Sequence, residues 1–366
     1  MYAAFVALVL VLLALDLGVF HRKAHVISVR EALGWSAFWI GLGLAFSGFI
    51  YVGYERHWMG LGLTVDQMTL TPTEIPGLGT VYNDGADAMV KYITGYLVEK
   101  SLAVDNIFVI AMLFGFFAVP QIYQHRVLFW GILGALLMRG VMIALGAQLL
   151  QRFSWIIYVF GGFLILTGIK MLLLKSDETD PNRNIVVRLT RRIWPVTEKF
   201  HGEHFFVRAG SAASHEPPVP GAETEVDKVV DAARAGTLLA TPLFLALVMV
   251  EVTDLIFAVD SIPAIFAITT DPFIVFTSNV FAILGLRSLY FALAGMMNEF
   301  RYLKVALAVI LMVVGVKMMI HAWLKTILGP NFNLYLLAVV LLILAAGVVA
   351  SLIASRRDRG KAQGPY

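Results

Sequence analysis

The chain contains no cysteine. That excludes disulfides, thiolate-bound zinc, cysteinyl iron–sulfur clusters and any cysteine nucleophile, and it leaves the redox compartment unreadable. Charge is scarce too: 14% of residues are Asp, Glu, Lys or Arg, against about 25% in an ordinary soluble domain. With 59% of residues hydrophobic, the solvent for which this sequence is built is lipid. The net charge of +3 is too small to imply a nucleic-acid partner, and the basic residues gather beside apolar segments, where they report orientation. A basic n-region is also missing. Arg22 and Lys23 follow the first apolar run instead of preceding it, so residues 1–20 read as an uncleaved helix and not as a signal peptide.

What is present is a series of apolar stretches near 1–20, 33–54, 92–118, 127–149, 155–174, 238–268, 273–297, 304–322 and 333–355. Each is long enough to cross roughly 30 Å of hydrocarbon. The expected fold is all-α, a polytopic bundle of about nine transmembrane helices in which one membrane domain uses residues 1–366, since a bundle in lipid is not held to the roughly 250–300 residues of a soluble core. Basic residues fall after the first helix (Arg22, Lys23, Arg30), through 175–237, and in the tail (Arg356, Arg357, Arg359, Lys361). All three lie on one side if nine spans are right, and the positive-inside rule makes that side cytoplasmic. The N-terminus is then outside and the C-terminus inside, in a bacterial inner (plasma) membrane. Residues 55–91 read as an outer loop, and 209–236, with Pro217, Pro218 and Pro220, as a mostly disordered part of the cytoplasmic linker 175–237.

An internal repeat organises the chain. LAVDNIFVI (102–110) aligns with FAVDSIPAI (257–265) at five identities in nine, matching Asp105 with Asp260. Glu99 and Asp254 each stand six residues before that aspartate, and GIKM at 168–171 matches GVKM at 315–318. The repeats therefore span 92–174 and 238–322, with extra helices at 1–20, 33–54 and 333–355. Three helices per copy is an odd number, so the second copy enters from the opposite side: an inverted repeat of the kind found in transporters.

Four intramembrane acids, Glu99, Asp105, Asp254 and Asp260, cost about 10–14 kcal/mol together if ionised and unpaired, at roughly 2.5–3.5 kcal/mol each. Protonation, a basic partner (Lys100, Arg139 or Arg287) or a bound cation must offset that. The rival to an ion site is a salt-bridge network that only fixes helix packing. Glu99 and Asp105 lie about 600° apart on an ideal helix, so a distorted helix is expected. Pro263 supports this, because it frees the carbonyl of Val259 beside Asp260. Asn106 and Ser261 add oxygens at matching positions, and Glu251 shares the helix face of Asp254. Hard oxygens of this kind suit Mn²⁺, Ca²⁺ or Mg²⁺. Every histidine lies in a loop or at a helix end; His201 with His204 near Glu198 and Glu203 reads as a solvated loop. Lys170 and Lys317 read as snorkelling near helix ends. An intramembrane aspartyl protease is disfavoured, since both repeat aspartates follow Ala-Val and four acids exceed a dyad. No enzyme activity is expected.

YITGYLVEKSLAVDNIFV (92–109) and EVTDLIFAVDSIPAIFAITTDPFIVFTSN (251–279) resemble the two signature segments of the TerC family, named for tellurium resistance. LALDLGVFHRKAH (13–25), QHRVLFWGILGALLMRG (124–140), FGGFLILTGIKM (160–171) and FAILGLRSLYFALAG (281–295) follow the same pattern. The resemblance implies a membrane transporter, in many members a manganese exporter, with no resident cofactor. It implies Glu99, Asp105, Asn106, Asp254 and Asp260 as metal-site residues, with Asp16 a further family position. Proton exchange is the natural coupling, because protons compete with metal for carboxylates. Some members are linked to metal loading of secreted enzymes and others to membrane-protein insertion. The alternative function is therefore a metal-delivery partner for secreted metalloproteins or the translocation machinery. The linker is longer than the family pattern.

Overall fold

Hydrophobic segments flanked by strong caps become helices at almost every place the sequence proposes. The computed structural model of the protein describes residues 1–18, 28–69, 72–153, 155–173, 185–219, 227–293, 302–320, 323 and 332–362. Twelve α-helices lie in this part: α1 (Tyr2–Gly18), α2 (Val29–Glu55), α3 (Gly85–Phe116), α4 (Gln121–Arg152), α5 (Ile156–Leu173), α6 (Ile185–Ile193), α7 (Lys228–Ala232), α8 (Pro242–Phe266), α9 (Pro272–Ile283), α10 (Leu286–Leu293), α11 (Leu303–Met319) and α12 (Phe332–Ala362). Side-chain oxygens start the key helices: Ser28 accepts from Glu31 N, Asp84 from Asp87 N, and Asp271 from Phe273 N and Ile274 N. Each satisfies a donor that the first helical turn leaves open.

Five helices, α2, α4, α5, α8 and α12, are long and apolar enough to cross a membrane, and six spans result if the α9–α10 pair, bent by 41°, is one. The remaining candidates fall short on that measure. α1 and α11 have 17 residues each, under the roughly 20 of a full span, and α3 carries Glu99, Lys100 and Asp105 in its middle.

The expected interruption at the aspartate segments is not found. α3 and α8 run as continuous helices through Asp105 and Asp260. Pro263 lies one turn from the end of α8, where losing one ladder hydrogen bond is tolerated. The break comes instead between α9 and α10, where Gly285 takes φ +76 and a Cβ would overlap Trp39. Lys100 Nζ donates to the carbonyls of Ala282 and Leu284 at 2.9 and 3.1 Å, so the break's freed acceptors are satisfied from α3.

The first helices of the two repeats run in opposite directions. The start of α3 meets the turn after α8, with Asn83 Nδ2 3.3 Å from Asp271 Oδ2, while Phe114 near its other end meets Tyr290 of α10 edge to face. α3 and α8 therefore run antiparallel. α3 packs on α9 and α8 on α4, and α5 packs along α11. In the α5–α11 seam a Cβ on Gly315 would lie 2.8 Å from the Gly161 carbonyl oxygen, and one on Gly168 2.7 Å from that of Ala308. Close backbone approach through small residues is how helices associate where lipid removes the hydrophobic drive.

Two segments differ from their reading as loops. Residues 55–84 carry the hairpin β1 (Thr73–Ile75) and β2 (Gly79–Val81) and press Asp66 into the protein at 2% exposure. The supposed disordered linker folds over its described residues: β3 (Phe206–Arg208) pairs with β4 (Leu238–Ala240), and Val207, Ala209, Val230 and Leu239 make a small core. Turn residues concealed short strands there, and Asp227 caps α7 while holding Lys199 N at 2.9 Å.

Candidate functional site

Arg139 joins α3, α4, α8 and α9 at the middle of the bundle. Its Nη2 and Nε donate to Asp254 Oδ1 and Oδ2 at 2.8 and 3.1 Å, a bidentate pair, which is both strong and geometrically selective. Its Nη1 pairs with Glu99 Oε1 and reaches Asn279 Oδ1 at 3.3 Å and Ser261 Oγ at 3.5 Å. Ser261 Oγ in turn donates to Glu99 Oε1 at 3.4 Å. Glu99 and Arg139 are 1% and 2% exposed. Two carboxylates and one guanidinium leave the cluster one positive charge short of neutral.

Three buried polar atoms here have no hydrogen-bond partner: Glu99 Oε2, Glu251 Oε2 and Asn279 Nδ2. Glu251 sits one turn before Asp254 on α8 and faces Gly134 of α4, where a Cβ would overlap its carboxylate. The glycine makes room for an acid that would otherwise be expelled. An unpartnered buried carboxylate oxygen calls for a proton or a cation.

The other predicted residues spread along the same helices. Asp260 is half-buried and contacts Thr167 Oγ1 of α5 at 3.5 Å. Asn106 is buried in α3. The side chains of Asp16, in α1, and of Asp105, in α3, lie outside the described residues. Among the described residues no three carboxylate or imidazole groups converge on one point. The cause is visible for Glu99 and Asp254: Arg139 occupies the space between them. Register matters as well. Because α3 and α8 are antiparallel and Ser261 meets Glu99, the backbone of Asp105 lies at the depth of Asp254, roughly 9 Å from that of Asp260, at 1.5 Å per residue.

The comparisons with known proteins bear on these residues directly. The model of the "Integral membrane protein TerC family" matches residues 84–359, from the cap of α3 into α12. The chain belongs to the TerC family. Among its relatives, an uncharacterized membrane protein of Myxococcus xanthus is 46% identical over 97% of this chain and 93% of its own length. The Escherichia coli K12 protein named "Putative membrane-bound redox modulator Alx" is 40% identical over 93% of each chain. An uncharacterized membrane protein of Rickettsia bellii is 37% identical over 95% of this chain and 96% of its own. No solved structure matches.

Within this TerC protein a second polar cluster escaped the sequence reading. Asp66 accepts from Thr269 Oγ1 (2.6 Å), Thr270 N (2.8 Å), Lys91 Nζ (3.0 Å) and Asn83 Nδ2 (3.2 Å). Burial opposes its charge, but Lys91 and these hydrogen bonds outweigh burial and hold its carboxyl well below the usual range. Asp271, in the turn between α8 and α9, shares Asn83 with it. Burial first, and the nearby Asp66 carboxylate second, push Asp271 up to about 6. Asp66 looked like loop because Thr269 and Thr270, which complete its cage, are some 200 positions away; the Thr-Thr-Asp-Pro at 269–272 was the signal available. Lys317 is a correction: it is 3% exposed and donates to the Ala267 carbonyl at 2.5 Å instead of snorkelling, whereas Lys170 is exposed.

Proposed function

We propose that this TerC protein is a secondary transporter, not an enzyme, which exports divalent metal ions, Mn²⁺ first among them, from the cytoplasm across the bacterial inner membrane. The observation that carries the reading is the Glu99–Arg139–Asp254 bridge between antiparallel helices, with the acceptor oxygens of Glu99 and Glu251 left over. Arg139 stands where a metal would have to stand. In this reading it is the internal cation that holds the acids while no ion is bound, and metal entry requires it to swing away. Asp105, Asn106, Asp260 and Ser261 extend the path on either side, and Asp16 is a further family position.

The antiparallel course of α3 and α8, and the reciprocal packing of α3 on α9 and α8 on α4, support reading 92–174 and 238–322 as inverted repeats. The basic residues of 185–240 support a cytoplasmic location for that segment, with the N-terminus outside and the C-terminus inside. Oxygen donors favour Mn²⁺, Ca²⁺ and Mg²⁺ over softer metals. A chain without cysteine has no thiol to exchange, so a redox effect such as the name of Alx suggests would run through the metal moved. The folded residues 185–219 and 227–240 support the second reading, in which the protein hands metal to secreted or translocating proteins, because they offer a surface for a partner.

Purified protein in liposomes separates the two. A pH gradient should drive Mn²⁺ across vesicles containing the protein alone; flux no greater than in protein-free vesicles would sink the transporter reading and leave delivery.

A further inference from the structure

Helix α6 (Ile185–Ile193) is short, cationic and held at the threshold of a transmembrane helix. Its sequence, IVVRLTRRI, carries Arg188, Arg191 and Arg192 and no acid. Val187 and Thr190 are its buried side, and Val187 joins the apolar core of the bundle. Beyond the helix the chain is pinned to the residues that lead into α8: Ala240 N donates to the Pro195 carbonyl at 3.0 Å, and Thr197 N to that of Ala240 at 2.9 Å. Trp194 meets Phe244, in the first turn of α8, edge to face at 5.7 Å. Because α8 is long and apolar enough to cross a membrane, α6 sits at the level where that helix enters the bilayer.

The outward side of α6 is divided lengthwise. Arg188 and Arg192 stand one turn apart, and Leu189 and Ile193 stand one turn apart beside them. All three arginines are exposed, and no salt bridge among the described residues involves them. Leu189 and Ile193 are 54% and 56% exposed. Single exposed leucines mean little; their place beside three arginines, at the height of the headgroups, is what selects lipid over water. A basic amphipathic helix lies in the interfacial plane with its apolar residues at the acyl boundary. Tryptophan favours the same depth, and the guanidinium fork matches phosphate oxygens.

We propose that α6 is a docking surface for anionic phospholipid, with Leu189 and Ile193 at the acyl boundary and Arg188, Arg191 and Arg192 on headgroup phosphates of the leaflet that α8 enters. Charge complementarity commits the surface to anionic lipid, since each basic residue near a negative membrane surface adds to the attraction. The like charges of Arg188 and Arg192, which repel one turn apart, are offset by the same phosphates. None of the residues assigned to ion passage takes part, so the surface stands whether or not the protein transports.

The absence of cysteine makes the test direct. Full-length protein carrying Ile193→Cys and a nitroxide label is reconstituted in nanodiscs of phosphatidylcholine, alone or mixed with phosphatidylglycerol. Collisions of the label with oxygen, which concentrates in lipid, are compared with those of a nickel chelate confined to water. In the mixed discs the oxygen-to-nickel ratio at position 193 should be severalfold higher than at Glu198→Cys, an exposed position beyond the pinned turn, and it should fall when phosphatidylglycerol is omitted. Arg188→Gln, Arg191→Gln and Arg192→Gln together should abolish that dependence on lipid composition, whereas the three matching changes to Lys should keep part of it, since charge is retained and only the fork is lost. Inorganic phosphate at constant ionic strength should leave the ratio unchanged, because a free anion does not replace the bilayer under Leu189 and Ile193. A ratio at 193 no higher than at 198, equal ratios in the two kinds of disc, a composition dependence that survives the Gln changes, or displacement by inorganic phosphate overturns the proposal; the first of these would assign the arginine face to a soluble acidic partner instead.

Discussion

Arg139 satisfies two acids with one guanidinium, and that accounting predicts what its loss does. Arg139→Gln leaves Glu99 and Asp254 facing each other without a counter-charge, at a cost of roughly 3–5 kcal/mol. Membrane abundance of this variant should fall well below the parent's, and Glu99→Gln combined with it should recover part of the loss; equal abundance of all three would show that the bridge contributes nothing to folding. Asp105→Asn and Asp260→Asn should behave differently. An amide keeps the shape and hydrogen-bonding capacity of the side chain but not the charge that attracts a metal. Cells with either variant should hold normal protein and retain excess Mn²⁺ after loading; normal efflux would remove that residue from the path. Glu99 and Asp254 were legible in the sequence as buried acids, and Arg139 as one of three candidate partners. Their meeting at one guanidinium was not, because it depends on the rotation of four helices that no local pattern records.

At the scale of elements, α5 and α11 form the most extensive helix pair described, with glycines at the seam. Gly315→Val puts three carbons where a carbonyl oxygen already stands, and overpacking of this kind costs about 1–3 kcal/mol. Purified protein should melt at lower temperature with this change, while Gly162→Val, which meets open space, should not alter the melt. The turn from α8 to α9 makes a pH prediction. Asp271 is raised to about 6, so the folded protein binds a proton there that the unfolded chain releases near 4. Its contribution is complete below the ordinary carboxylate value and is lost as pH rises through about 6, a change of order 3 kcal/mol. The shift of Asp66 runs the other way: its contribution is present above the ordinary value and is lost only in stronger acid. Between pH 5 and 8 Asp271 dominates, so Asp271→Asn, still able to cap α9, should melt above the parent at pH 7.5 with the difference closing toward pH 5. A constant difference across that range would contradict the burial of this carboxyl. The sequence placed the helices but misplaced their irregularity: Pro263 advertised a kink that its position near a helix end absorbs, whereas Gly285 marked the real break without any proline.

For the whole molecule, hydropathy and the Lys/Arg bias were enough to read an all-α membrane bundle, since lipid tolerates few other solutions for the backbone. They were not enough to see that the described residues of 185–240 fold, because the strands there are three residues long and pair across thirty or more positions. Orientation is testable on the natural cysteine-free chain. Ser211→Cys should stay unlabelled in intact cells by a reagent that cannot cross the membrane and react once the cells are opened; labelling from outside would invert the topology.

The stagger of the acids along antiparallel helices also has an electrical meaning. An ion moved from the depth of Asp254 to that of Asp260 travels roughly 9 Å of a core about 30 Å thick, carrying two charges through nearly a third of any membrane voltage. At roughly 2.3 kcal/mol per charge per 100 mV, that step alone is worth about 1.4 kcal/mol, a tenfold bias. With the cell interior negative, outward passage of a divalent cation runs against this field; two protons moving inward would cancel the charge, and only more than two would let the voltage assist the exchange.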